Sequence, residues 1–360
     1  MKKLYFALTL ILFFFISCNS DIGDTSFHKV TVNFDDAKTI IVNNNSIIEL
    51  ETNDSSLLYD ICKIIGFDNK YVIHSRDKVR VFDDTGHYLY NIGNVGHSGN
   101  EYQGVSNIFK DSNMVCIYDF STMSLLSYDV NGKFIKRLNI GDKLPVNDEM
   151  TPPSHLYKNG NKFVSVNCFG GDYRKIPVLS IASDDFKSYN KIVGKNRMTG
   201  LSFPDDVLFV DDAIFYWQPM CDTLFIANDK DIKPYCFFDL GKYSFPEELT
   251  HKDVYERIDY VNNKEKEGKP FAGMIRYYSC YGESLFFVCI APGNETVLCQ
   301  YDMKSRDVRV YKFTLPKKTM KLQTFLQIIG DEIIMAADDD KDASKNPYLI
   351  KMNIKDLYNI

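Results

Sequence analysis

The chain has 360 residues, 45% of them hydrophobic and 25% charged, with nine cysteines and a net charge of −6. That apolar content supports a large packed core and excludes an intrinsically disordered chain. The acidic balance reads as uninterrupted by any basic cluster, which argues against nucleic acid as a partner because a phosphate backbone would be repelled.

The N-terminus carries an export pattern. Lys2 and Lys3 are followed by an almost wholly apolar stretch over 4–16, then Ser17 and Cys18. The stretch is too short to span a bilayer as a helix but suits the hydrophobic region of a signal peptide. Phe15-Ile16-Ser17-Cys18 resembles a bacterial lipobox, which would make 1–17 a lipoprotein signal peptide and Cys18 the lipid attachment point. The competing reading is an ordinary secretory signal in which Cys18 is incidental. Residues 18–27, with Asn19, Ser20, Asp21 and Asp24, read as a polar tether to the membrane. No Asp follows Cys18 directly, which favours the outer membrane, facing the periplasm or the cell surface. Residues 28–360 then form one domain, since no Gly/Ser- or Pro-rich linker divides them.

Strand signals dominate that domain: short runs of Tyr, Phe, Val and Ile separated by Gly, Asn and Asp. Six groups follow in order. The first covers 57–92, with strands over 58–64, 71–74, 79–82 and 88–92. The second covers 105–138. The third covers 154–193, turning at Asn159-Gly160, with strands over 163–167 and 177–181. The fourth covers 207–240, turning at Asp211-Asp212, with strands over 213–217, 223–227 and 235–238. The fifth covers 276–313, turning at Gly282-Glu283, and the sixth 324–354, turning at Gly330-Asp331. The first two groups superpose as sequence, with Phe82 over Tyr128, Asp83 over Asp129, Gly86 over Gly132 and Tyr88 over Phe134. Such a period points to stacked sheets that cannot bury their faces alone. The expected fold is all-β: a six-bladed β-propeller of four-stranded antiparallel blades. The sixth group lacks a fourth strand, and either 30–34 or 47–50 is available to supply it and close the ring. A helical insert is expected over 246–268, with Thr250 as cap, Val254, Ile258 and Val261 on one stripe, and Gly268 as stop.

Two segments resemble a known family. Residues 48–58, Ile-Glu-Leu-Glu-Thr-Asn-Asp-Ser-Ser-Leu-Leu, and 92–102, Ile-Gly-Asn-Val-Gly-His-Ser-Gly-Asn-Glu-Tyr, are similar to motifs of six-bladed β-propeller lipoproteins of Gram-negative bacteria, relatives of NHL-repeat propellers. Ser98, Gly99 and Asn100 depart from the family's Gly-Pro-Gly. The resemblance implies fold and export. The family is largely uncharacterised, so it transfers no catalytic residues.

In a propeller the connections between blades, and those between second and third strands, gather on one face. Here that face is expected to carry 75–78, 93–102, 120–123, 170–175, 218–220, 292–295 and 338–345. Glu101 is a candidate acid, base or hydroxyl acceptor and His97 a proton shuttle. The structural alternative has Glu101 capping loop amides and Tyr102 packing between blades. Trp217, the one tryptophan, and Tyr173 offer sugar-stacking faces, and Arg174 and Arg76 offer clamps for a carboxylate or sulfate. Core packing and plain surface charge are the alternatives. Asp338, Asp340 and Asp342 could bind calcium, against the reading of a solvated acidic loop.

The cysteines beyond Cys18 form no CxxC pair and read as small buried hydrophobes, with a disulfide framework as the alternative. The histidines show no zinc spacing, and no nucleophile elbow, Walker loop or dinucleotide fingerprint is present, so no cofactor is expected. The best-supported function is a binding module for a glycan, peptide or envelope protein. The alternatives are a hydrolase or lyase using Glu101 and His97, and a scaffold subunit of an envelope complex.

Overall fold

The structure, a computed structural model, describes residues 26–143, 153–166, 179–192, 207–217, 221–249, 252, 254–267, 275–342 and 344–358. They form six sheets in a ring, a six-bladed β-propeller. Blade 1 runs through Lys63–Phe67, Lys70–Ser75, Lys78–Asp83 and Tyr88–Asn91, each strand antiparallel to the last. Blades 2 to 6 repeat this order over 105–139, 155–192, 207–239, 275–314 and 320–353.

The core lies between blades, not within them. Six separate clusters of buried side chains fill the six seams. Val72, Val81, Ile117 and Tyr128 join blades 1 and 2. Trp217, Phe238, Phe287 and Tyr301 join blades 4 and 5. Ile64, Ile73, Ile334 and Leu349 join blades 6 and 1. Each such side chain contributes roughly 1.5–3 kcal/mol on burial, which a lone blade would forgo on both faces.

The sequence repeat is a real structural unit. Asp83 Oδ1 accepts the N–H groups of Thr85 and His87, and Asp129 Oδ1 those of Asn131 and Lys133, all at 2.9 Å. Gly86 and Gly132 follow with φ of +95° and +83°, which L side chains resist. Phe82–Tyr88 and Tyr128–Phe134 then make matching edge-to-face pairs at 5.8 and 5.7 Å.

The N-terminal segment wraps the outer rim. Strand β3 (Ile47–Glu49) is the fourth strand of blade 6, antiparallel to Tyr348–Asn353 with Ile47 opposite Ile350. Residues 47–50 therefore supply the closing strand, and 30–34 do not. Two further pairings were not expected. Strand β1 (His28–Thr31) adds in parallel to the outer edge of blade 4, with His28 opposite Cys236. Strand β2 (Lys38–Ile41) does the same on blade 5, with Lys38 opposite Tyr311. Blades 4 and 5 thus have five strands, and their edges are covered. At the hub, the first strands of blades 1 and 6 meet so closely that a Cβ at Gly66 would lie 2.2 Å from Ile329 Cγ2.

Two details differ from the sequence reading. The first strand of blade 1 is Lys63–Phe67, not 58–64. Leu58 and Ile61 are buried, but the backbone there is committed elsewhere: Leu58 N–H donates to Asn346 Oδ1 (2.6 Å) and Tyr59 N–H to Ser75 Oγ (3.1 Å). The helical insert is present as α1 (Val254–Lys266), with Val261 buried and Tyr260 edge-on to Phe245 at 6.1 Å. Its expected cap Thr250 and stop Gly268 lie outside the described residues.

The seven described cysteines beyond Cys18 are free thiols, and Cys168 lies outside the described residues. Burial pushes the Cys116 thiol up to about 11 and Cys236 to about 12. Cys289 and Cys299 face each other as thiols, Sγ to Sγ 3.6 Å.

Candidate functional site

Because neighbouring strands alternate in direction, the connections divide between two faces. The loop face holds the second-to-third-strand connections and the links between blades. The turn face holds the tight turns, such as Asn159-Gly160 and Gly282-Glu283. Segments 75–78, 93–102, 120–123, 292–295 and 338–345 share the loop face, as their positions in the blades require. Segments 170–175, with Tyr173 and Arg174, and 218–220, like Cys18, lie outside the described residues.

Glu101 is committed to its own loop. Its Oε2 accepts the Ser98 N–H (3.0 Å), and the carboxylate lies against Gly96, where any Cβ would collide with it. The Ser98 donors hold the Glu101 carboxyl below the usual carboxylate range, with His97 adding to the effect. His97 is exposed, and its Nδ1 lies 3.1 Å from Gln103 Nε2. Tyr102 is buried in the seam of blades 1 and 2, where desolvation pushes its phenol up to about 12. The loop is fastened from below. Arg137 donates to the Glu101 carbonyl (3.1 Å) and to Thr122 Oγ1 (2.8 Å). The buried Asp119 carboxylate takes the N–H groups of Gln103 (2.9 Å), Gly104 (3.2 Å) and Ser121 (3.0 Å). The hydrogen bonds here are those of a loop clamp.

The other expected residues are dispersed. Trp217 is 2% exposed, stacked on Phe238 at 5.2 Å and touching Tyr278 and Phe287, with its indole N–H donating to the Cys221 carbonyl. No ring face is left for a sugar. Arg76 is exposed on the loop face, and its guanidinium covers Tyr59 at 4.3 Å. Asp338 accepts from Gln323 Nε2, Asp340 pairs with Lys321, and Asp342 with Ser344 Oγ and Lys345. These carboxylates are engaged separately, and among the described residues no group of three or more His, Cys, Asp or Glu is placed to hold a metal.

A feature absent from the sequence reading sits at the seam of blades 5 and 6. A cleft of about 580 Å³ opens on the loop face between the Gly293-Asn294 turn, the link through Leu315, Lys317 and Lys318, and the start of blade 6. Lys312, Lys317, Lys318 and Lys321 line it against one carboxylate, Glu295. This corrects the expectation of an acidic surface without a basic cluster. The lysines fall on a strand end, a connection and a strand start, so net charge conceals their convergence. Phe313, Leu315 and Leu322 supply partly exposed apolar surface inside the cleft.

A family model described as a domain of unknown function, DUF4934, matches residues 19–349. The chain belongs to the DUF4934 family. No curated protein matches it. A Bacteroides fragilis protein described as exported is 16% identical with a TM-score of 0.62, covering 91% of this chain and 99% of its own. A member of the DUF4221 family from Bacteroides vulgatus is 12% identical with a TM-score of 0.55, covering 85% of this chain and 95% of its own. At these identities the likeness is one of fold.

Two buried histidines complete the loop-face inventory of this DUF4934 propeller. His74, near the end of the second strand of blade 1, donates its Nε2–H to the Arg76 carbonyl (2.7 Å), while its Nδ1 has no hydrogen-bond partner. His155 opens the first strand of blade 3. Burial lowers both, His155 to about 3 with the His74 imidazole adding to the effect, while the Arg76 carbonyl, Asp60 and Asp77 pull His74 the other way. The His155 imidazole is neutral at physiological pH.

Proposed function

We propose that this DUF4934 protein is an exported binding module, anchored to the outer membrane through a lipidated Cys18, that presents its loop face to a partner molecule. The observation that carries the reading is the cleft of blades 5 and 6, a basic rim over an apolar floor on the face where the blade links converge. Export is supported by the segment over 2–18 and by the description of the Bacteroides fragilis neighbour. The motif residues 48–58 and 92–102 support kinship with lipid-anchored NHL-like propellers. The commitment of Glu101 to Ser98 favours binding over hydrolysis, because the contact serves the loop and holds the carboxyl below its usual range, away from that of a proton donor.

The test is a thermal-shift screen of the mature protein against peptide and glycan collections. Amide exchange then maps each stabilising ligand. Protection on the loop face supports the reading. Protection confined to the turn face, or turnover of the stabilising ligand, refutes it.

A further inference from the structure

The geometry points to the cleft between blades 5 and 6 as a binding site for an acidic, amphipathic peptide segment of a partner protein. The inference rests on the loop face being the binding face, and it names the occupant.

The lysines are not equivalent. Lys321 is neutralised by Asp340 at 2.5 Å, and Lys317 leans on Tyr348, 5.0 Å from the ring centroid. Lys312 and Lys318 have no ion-pair partner among the described residues, although the chain as a whole is acidic. Glu295 is the one carboxylate of the lining, and Asp338, Asp339 and Asp340 at the end of the neighbouring strand are engaged by Gln323, Thr319 and Lys321, so the two unspent ammonium groups make a local site for negative charge. Below them, Phe313, Leu315 and Leu322 leave apolar surface uncovered.

That combination selects among anionic ligands. A sugar needs flat rings to stack on and polar side chains to take its hydroxyls. The floor here has one aromatic ring, Phe313, and the hydroxyl of Thr296 is spent on the Leu322 carbonyl at 3.2 Å, which leaves Asn294 and Thr324 as the uncharged polar side chains of the lining. A single-stranded nucleic acid needs a series of stacking platforms, which this floor does not provide. A peptide that alternates carboxylate and apolar side chains places one set on the rim and the other on the floor. The volume, about 580 Å³, suits a few side chains. Strand addition is not the mode on this blade, since β2 already occupies the outer edge of blade 5, so recognition runs through side chains.

The test uses the mature protein and fluorescence anisotropy with a short labelled peptide in which Glu alternates with Leu. Peptides alternating Lys with Leu, and Glu with Ser, are the comparisons. Oligogalacturonate and a single-stranded oligonucleotide are competitors. The Glu/Leu peptide is expected to bind best and to weaken as salt rises. The Lys312→Glu/Lys318→Glu variant should lose about tenfold in affinity, and Lys312→Gln/Lys318→Gln less. Lys230→Glu on the turn face should change nothing. Thermal melts of each variant establish that it is folded. Equal binding of the Glu/Leu and Glu/Ser peptides, or unchanged affinity in the charge-reversed variant, overturns the proposal. Binding of the sugar or the oligonucleotide in place of the Glu/Leu peptide, lost in the same variant, overturns the peptide but keeps the loop face as the binding face. Peptide protection of the turn face in amide exchange overturns both.

Discussion

Asp222→Asn should make the protein's stability less dependent on pH, in a direction the structure fixes. Asp222 is 5% exposed at the start of the third strand of blade 4. Burial pushes its carboxyl up to about 7, although the Phe245 N–H (2.7 Å) and the Ser244 hydroxyl pull the other way. The unfolded chain releases this proton near pH 4, about three units lower. Between those values the folded state holds a proton that the unfolded state has lost. Stability therefore falls as pH rises from about 4 to about 7, and the deficit is complete above that. Three units at 1.36 kcal/mol each set a ceiling of about 4 kcal/mol. Asparagine keeps an acceptor for the Phe245 N–H and never ionises. The assay is equilibrium urea unfolding followed by Trp217 fluorescence, since the lone indole donates to the neighbouring Cys221 carbonyl. His155 acts with the opposite sign: its imidazole is pushed down to about 3, so its contribution is lost as pH falls below about 6.5. It is common to both proteins and cancels when they are compared at each pH. The variant should gain on the wild type by up to about 3 kcal/mol on going from about pH 4.5 to about pH 8, the part of the ceiling that lies in that window. Parallel pH curves for the two proteins would refute the assignment of Asp222.

Gly86→Ala should cost about 2 kcal/mol or more, because it forces an alanine to φ +95° and sets its Cβ 2.2 Å from the Glu49 carbonyl oxygen of the closing strand. Gly160→Ala, at φ +53° with open space around it, should cost only about 1 kcal/mol, and thermal melts of the two separate conformational strain from loss of ring closure. Asn346→Ala should cost about 2–4 kcal/mol, since it orphans the Leu58 N–H and the Ser56 carbonyl and leaves the Glu51 carbonyl only the Ser56 hydroxyl, and amide exchange over 51–58 should accelerate. Glu101→Ala should speed exchange at Ser98 while leaving peptide affinity at the cleft unchanged, which an enzymatic or ligand-binding role for this carboxylate would contradict.

The blade repeat was legible because one residue type does one job in each copy. Asp83 and Asp129 close the same turn, and Gly86 and Gly132 occupy the same left-handed position. Strands β1 and β2 were not, because four residues with one inward side chain, Val30 or Ile40, carry too short an alternation to name a partner edge. Leu58 and Ile61 misled for a related reason: burial marks a core position whether or not the backbone joins a ladder. Glu101 in a glycine-rich loop has the same pattern whether it caps amides or moves protons, and only the Ser98 contacts favour the cap. The lysine cleft was hidden by its own construction, in which Lys312 and Lys321 belong to different blades and meet only when the seam forms.

The direction of the N-terminal strands links anchorage to the binding face. Every fourth strand runs from the turn face to the loop face, and β1 and β2 are parallel to those of blades 4 and 5. The chain therefore reaches the rim of blade 4 heading from the turn-face side. A tether over 18–27 reaches at most about 35 Å. In the proposed lipoprotein the tether would join the domain from that side, and the lysine cleft opens on the opposite face. Tension on such an anchor loads β1 in shear along the ladder from His28–Cys236 to Thr31–Asp239, and β2 lies between that point and β3. The three residues of β3 that close the ring, Ile47–Glu49, are thus insulated by two other pairings from any pull at the membrane.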